Sequence, residues 1–319
     1  MNLNFFKSGD AILNYHRISS DAEHLKEKDE LTVSVSKFKQ QLTFLKKNYH
    51  FVPLDDFIKF EKSERKKISI TFDDGYKDNL IYALPVLNEL NIPATIYIVT
   101  KFLKGEFDIW WYELKDYIFE NTKDLKFIFD NNKYNFSIKT EKEKLKCFNR
   151  LNNIIKKLNK NKQRNFLKEM TNSSVRKQYK NILLSKEDLN ILISNPLITL
   201  GAHSHNHLSL KNLNKEECVE EIKKSKQTLE ELMKCKVDHF SYPYGDKNDV
   251  SKREFEIAKE LGFKSAVVTS VGKTSKEKIF NLPRIHMSQR TGLKVLKFKL
   301  SSFYYFYIKF KKIIALLRF

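Results

Sequence analysis

A chain of 319 residues with 41% hydrophobic composition can bury one large α/β core or two smaller ones. Its formal net charge of +20 suggests a nucleic-acid partner until the charge is located along the chain. Residues 115–182 hold 18 Lys/Arg against 7 Asp/Glu and residues 290–319 hold 8 against none, so the basic character belongs to two appendages and the remainder is nearly neutral.

The stretch Met1 to Asp10 contains Phe5-Phe6 but no run long enough for a signal peptide, and nowhere do eighteen apolar residues follow one another. A cytoplasmic chain without a spanning helix is expected. Ala11-Ile12-Leu13-Asn14-Tyr15-His16-Arg17 reads as a first strand delivering His16 to its end. Phe38, Leu42 and Leu45 recur at helical spacing in residues 36–48, and Leu54, Phe57 and Ile58 start a second short helix after Pro53. The alternation of Ile68, Ile70 and Phe72 predicts a strand that runs into Asp73-Asp74-Gly75-Tyr76. A helix over Asn79 to Leu90 and a β-branched run Ala94 to Val99 complete a parallel crossover unit.

Trp110-Trp111-Tyr112 opens a different regime, because residues 113–182 lack Gly and Pro and carry mostly helical patterns. They read as an insertion, with the Trp pair either packing it onto the body or offering an aromatic face to a ligand. Strand alternation resumes at Leu197 to Ala202, which ends in His203-Ser204-His205-Asn206-His207, and a long helix over Lys215 to Met233 follows. Val237 to Tyr242 ends at Pro243-Tyr244-Gly245, and a helix over Asp249 to Leu261 leads to a strand over Lys264 to Thr269. A last run from Ile279 ends at Arg284 and His286. Repeated βα units with polar residues at strand ends describe an α/β barrel over residues 1–289, interrupted by the 113–182 insertion. Residues 290–319 follow as one basic aromatic helix. There Phe303, Phe306, Tyr307, Phe310, Ile313, Ile314 and Leu317 form a stripe, with Lys309, Lys311, Lys312 and Arg318 off it. That helix either lies in an anionic membrane surface or packs its stripe on the barrel.

Cys147, Cys218 and Cys235 are odd in number and form no CxxC, so neither a disulfide framework nor a cysteine metal site is indicated, and a reducing compartment fits. The acids and histidines at strand ends carry the chemistry. Adjacent side chains on a strand point to opposite sides, so Asp73 and Asp74 share a pocket only if the strand breaks there, which Gly75 permits. Two such charges stay ionised together if a cation neutralises one and leaves the other to accept a proton. The alternative is a pair of solvated acids capping the next helix. The histidines at 203, 205 and 207 also admit two readings. On a continuing strand all three share one face; if the chain turns after Ala202, His203 and His207 lie one turn apart and can grip one ion. Two imidazoles and one carboxylate leave zinc an open position for water.

Thr71-Phe72-Asp73-Asp74-Gly75, His203-Ser204-x-x-His207 and Phe240-Ser241-Tyr242-Pro243-Tyr244-Gly245, in this order and each at a strand end, resemble the polysaccharide deacetylases with the NodB-type homology domain. Tyr15-His16-Arg17-Ile18 and Leu282-Pro283-Arg284-Ile285 are similar to the branch found in surface-glycan pathways. The resemblance implies a distorted (β/α) barrel with a mostly helical insertion and a C-terminal amphipathic helix. It implies a hydrolase that removes an acetyl group from an N-acetylated sugar of a polysaccharide or lipid-linked glycan, with no nucleic-acid partner. Asp73 is then the base, and Asp74, His203 and His207 hold a divalent metal, zinc on the donor set. Tyr244 supplies a backbone amide to the oxyanion, and Pro243, Arg284 and Trp111 join it on the substrate side. The third family motif usually begins with an Arg that orients the base; Ser241 stands there, and Arg284 is the candidate to supply the missing guanidinium. For the acid that protonates the leaving amine the candidates are His16, which is preferred, and His286. His205 falls at a variable position. An inactive glycan-binding fold is the competing reading. If the basic helix meets an anionic membrane, the enzyme works peripherally at its inner face.

Overall fold

The computed structural model describes residues 9–24, 31–104, 109–172 and 179–316. Phe5, Phe6, Leu317 and Arg318, named above, lie outside them. Seven parallel strands form the centre: β1 (Ala11–Tyr15), β2 (Lys67–Phe72), β3 (Ala94–Ile98), β4 (Ile198–Ala202), β5 (His239–Ser241), β6 (Ser265–Val267) and β7 (Arg284–His286). Each pairs with its neighbour in chain order, and β7 pairs with β1, Ile12 against Arg284 and Asn14 against His286. Leu282, just before β7, bridges Val267 and exchanges backbone hydrogen bonds of 2.9 Å with Ala266 and Val268, which brings the two ends of the sheet together. The result is a nearly closed barrel.

The strands read as buried runs because both of their faces are covered. Leu13 and Tyr15 of β1 join a core with Phe38, Leu42 and Leu45 of the helix Val35–Asn48, and Tyr15 donates to Gln41 Oε1 at 2.9 Å. Ile12 instead packs with Tyr97, Val267 and Leu282. Gly201 shows how tight the inner side is: a Cβ there would stand 2.5 Å from Tyr97 Cδ1 and 3.0 Å from the His239 carbonyl oxygen.

The segment between β3 and β4 builds a small core of its own. Helices Trp110–Glu120, Glu141–Ile155 and Lys160–Thr171 bury Leu114, Ile118, Leu151, Phe166 and Leu167 together. The helical expectation overlooked an antiparallel hairpin, Leu125–Phe129 with Asn132–Phe136, whose turn residues Asp130 and Asn131 both have positive φ, 49° and 60°. Asp and Asn tolerate that conformation best after Gly, so this pair was the available signal.

Residues 290–319 are also not one helix. Leu293–Leu300 and Ser302–Leu316 are separated at Ser301, which is extended at φ −77° and ψ 152°. No helix of the described residues is long and apolar enough to cross a membrane.

Gly201→Ala should force Tyr97 or the β5 backbone aside and cost about 1–3 kcal/mol. A lowered urea midpoint is expected; an unchanged midpoint would show that the ring has room to give.

Candidate metal centre and active site

The end of β2 brings the two aspartates to one place. Asp73 continues the strand, its N–H donating to the Tyr15 carbonyl at 3.1 Å, so its side chain points inward two residues beyond Thr71. Asp74 then leaves the strand at φ 76°, followed by Gly75 at 73°. That left-handed turn swings the second carboxylate to the same end of the barrel. At the end of β4 the chain also turns. Ser204 and His207 have φ of 60° and 56°, and Ser204 Oγ accepts the His207 N–H at 3.0 Å.

His203 and His207 consequently converge, their Nε2 atoms 3.3 and 3.2 Å from Asp74 Oδ1, and all three side chains are buried. His205 goes elsewhere, its Nδ1 lying 2.9 Å from Thr100 Oγ1. Of the two arrangements open to the histidines, the turn is the one adopted.

The donor set fits a small divalent ion. Ligand atoms bonded tetrahedrally to zinc at about 2.0–2.1 Å stand about 3.3 Å from one another, and that is the separation of both imidazoles from Asp74 Oδ1. The His203 tautomer agrees. Its Nδ1 lies 2.7 Å from the Ser241 carbonyl, which can only accept, so Nδ1 carries the proton and Nε2 presents a lone pair. Burial alone would raise the pKa of Asp74, but when both imidazoles are protonated and no ion separates them from it, their hydrogen bonds outweigh burial and hold the carboxylate well below its usual range.

Asp73 is held from behind by Arg284. Nη1 donates to Asp73 Oδ1 at 2.8 Å and Nη2 to Oδ2 at 2.7 Å, a bidentate pair inside the barrel. The rest of the guanidinium is spent on Asn14 Oδ1, Thr71 Oγ1, Ser241 Oγ and the Val268 carbonyl, at 3.0 to 3.2 Å. Arg284 therefore does not face substrate, contrary to its placement on the substrate side. It is fully buried, and its N–H groups end on protein acceptors. Ser241 accepts one of them. Burial would raise the Asp73 pKa, but the Arg284 charge overcomes it and brings the group to about 2.

His16 Nε2 lies 3.9 Å from Asp73 Oδ2, and the His286 ring, 5.8 Å from the His16 ring, is related to that carboxylate through His16. Burial lowers the His16 pKa against the opposing pull of Asp74 and Asp73. Two aromatic rings flank His207: Trp111 at 4.9 Å and Tyr244 at 4.7 Å between centroids. Tyr244 has φ 61°, and its carbonyl accepts from Thr269 Oγ1 at 2.7 Å while Gly245 N–H returns to the Pro243 carbonyl. The Tyr244 N–H has no acceptor among the described residues.

Some of the supporting residues were not anticipated. Lys156 reaches out of the insertion to Asp249 Oδ2 at 3.0 Å and lies over the Tyr244 ring at 5.6 Å, while Asp249 Oδ1 accepts from Ser209, two residues past His207. Asn14 offered a clue, being polar inside an apolar strand; Lys156 offered none within a Lys-rich helix.

Residues 60–266 match the family model described as polysaccharide deacetylase. The chain belongs to the polysaccharide deacetylase family. Over 113 residues it is 34% identical to the poly-β-1,6-N-acetyl-D-glucosamine N-deacetylase of Staphylococcus epidermidis, a match covering 31% of this chain and 38% of that protein. The chain thus spans well under half of that relative's length. The deacetylase PplD of Streptococcus pyogenes, solved in complex with acetate, superposes with a TM-score of 0.61 at 17% identity, covering 92% of this chain and 98% of that one. IcaB from Ammonifex degensii gives 0.60 at 15% identity with the same coverage. At those identities the two structures establish the shared deacetylase fold.

Arg284→Met would leave Asp73 buried without its counter-charge. A loss of about 3–5 kcal/mol of unfolding free energy is expected, measured by urea titration. A loss below about 1 kcal/mol would mean that the pair is not a strut of the barrel.

Proposed function

We propose that this protein is a divalent-metal-dependent deacetylase that removes the acetyl group from an N-acetylated sugar of a polysaccharide or lipid-linked glycan. The observation that carries the reading is the juxtaposition of two carboxylates in unlike surroundings: Asp74 beside two imidazole nitrogens, and Asp73 beside an arginine. Family membership and the names of the relatives support the reaction class.

A zinc or similar ion held by Asp74, His203 and His207 would acidify water and polarise the acetamide carbonyl. The chain's own residues do the rest. Asp73, kept ionised by Arg284, takes the proton of the attacking water at a carboxylate oxygen. The proton then passes on to the leaving group, which departs as the neutral amine. His16, with Nε2 beside Asp73 Oδ2, is the preferred carrier and His286 the other candidate. The unpaired Tyr244 amide is suited to the developing oxyanion. The Trp111 and Tyr244 rings beside His207 would wall the acetyl group and sugar away from water, with Pro243 just before Tyr244 on the same side.

Binding without catalysis is the weaker reading. It drew on Ser241 in place of the family arginine, and the guanidinium of Arg284 now stands against both Ser241 and Asp73. Nucleic acid is not the proposed partner, because the basic residues sit in the insertion and the last helices, away from the near-neutral barrel. A lipid-linked substrate would place the reaction at a membrane surface, on its cytoplasmic side where carrier-bound glycans are built.

Asp74→Asn or His203→Ala should remove metal and activity together, by elemental analysis and acetate release from free, polymeric and lipid-linked N-acetyl sugars. Full activity in metal-free protein would overturn the assignment. Asp73→Asn should keep the metal and lose roughly three or more orders of magnitude in rate; retained turnover would remove Asp73 from the role of base. Whichever of His16→Ala and His286→Ala leaves turnover nearly intact is not the acid.

A further inference from the structure

The break at Ser301 separates two helices that behave differently. Leu293–Leu300 belongs to the body. Leu296 and Leu300 are buried, Lys297 Nζ lies over the Phe44 ring at 5.0 Å, and Lys299 Nζ donates to the His286 carbonyl at 2.6 Å. Ser302–Leu316 is tethered to it by Phe298, whose ring contacts Phe303, Tyr304 and Tyr307. Tyr304, Tyr305 and Ile308 are half-buried, while Phe303 (55%), Phe306 (67%), Tyr307 (39%) and Phe310 (55%) are exposed. Those four stand at i, i+3, i+4 and i+7 and so form one face. Packing therefore accounts for the first helix, and among the described residues it leaves Phe303, Phe306 and Phe310 of the second more than half exposed.

Charge identifies what covers them. Ser302–Leu316 carries Lys309, Lys311 and Lys312 and no Asp/Glu, so a second copy would bring an equally positive surface and be repelled. An anionic lipid surface is complementary to it. A helix of 15 residues is about 22 Å long, too short to span a bilayer and suited to lying in its plane, with Phe and Tyr at headgroup depth.

We propose that Ser302–Leu316 is an interfacial membrane helix that docks the enzyme on anionic phospholipid through Phe303, Phe306, Tyr307 and Phe310. The contact would deliver the protein to lipid-linked substrate if the deacetylase reading holds. Vesicle binding is read without turnover, so the two can fail separately.

The test is co-sedimentation of the full chain with phosphatidylglycerol-containing and pure phosphatidylcholine vesicles, at low and high salt, beside the variant F306S/F310S, which spares the Phe298–Phe303 contact. Each Lys or Arg near the leaflet is worth about fivefold in partitioning, so preference for the anionic vesicles should exceed about tenfold and collapse at high salt. The double variant should lose about tenfold or more in binding while keeping its melting temperature. Undiminished binding of the variant, or equal binding to both vesicle types, would overturn the proposal. So would a drop in its melting temperature, which would mark the face as packed, or a wild-type dimer that the variant abolishes.

Discussion

A charge pair inside the barrel holds the site together. Asp73 and Arg284 come from β2 and β7, which flank β1, and they meet on the inner side where Asn14 and Thr71 also project. An isolated carboxylate there would neutralise itself to escape the low-polarity surroundings. Paired at two points, it stays charged, and its position is set by the same hydrogen bonds. Arg284 also holds the Val268 carbonyl beside Leu282, where the sheet ends meet, so closure of the barrel and orientation of the base share one side chain.

Around this strut the strand ends are bent into conformations that side chains resist. Asp74, Ser204, His207 and Tyr244 all have positive φ without being glycine, and all belong to the three loops that carry the cluster. Such conformations persist only where surrounding contacts over-determine them. Ser204 supplies one by accepting the His207 amide, and Thr269 another by holding the Tyr244 carbonyl. The reward is convergence: left-handed turns aim residues from separate strands at a common point.

The insertion takes part in this arrangement. Its Trp111 lies against His207, and its Lys156 joins Asp249, which in turn holds Ser209. A buried lysine is tolerable only because a buried carboxylate meets it, so insertion and barrel loops are bound by a contact that neither could leave uncompensated.

The barrel strands, the acids at the end of β2 and the histidines after β4 were legible in the chain, because a strand buried on both faces must be an apolar run and its functional residues must interrupt that run. Periodicity also found the helix Lys215–Met233. It missed the hairpin around Asp130-Asn131, where alternation competed with a Lys-rich background that reads as helix. It also missed the break at Ser301, because no Gly or Pro marks it between the two helical segments. Which histidines converge was open to spacing alone and was named only through the family resemblance, since the turn at Ser204 rests on a side-chain hydrogen bond and a strained φ rather than on a glycine. The partner of Asp73 lies 211 residues away, and its pairing became definite only when β1 placed its two neighbours on either side of it. Local pattern thus determined the elements and the kinds of chemical group at their ends. Tertiary structure decided which groups meet, because that depends on closure of the sheet, a property no segment carries alone.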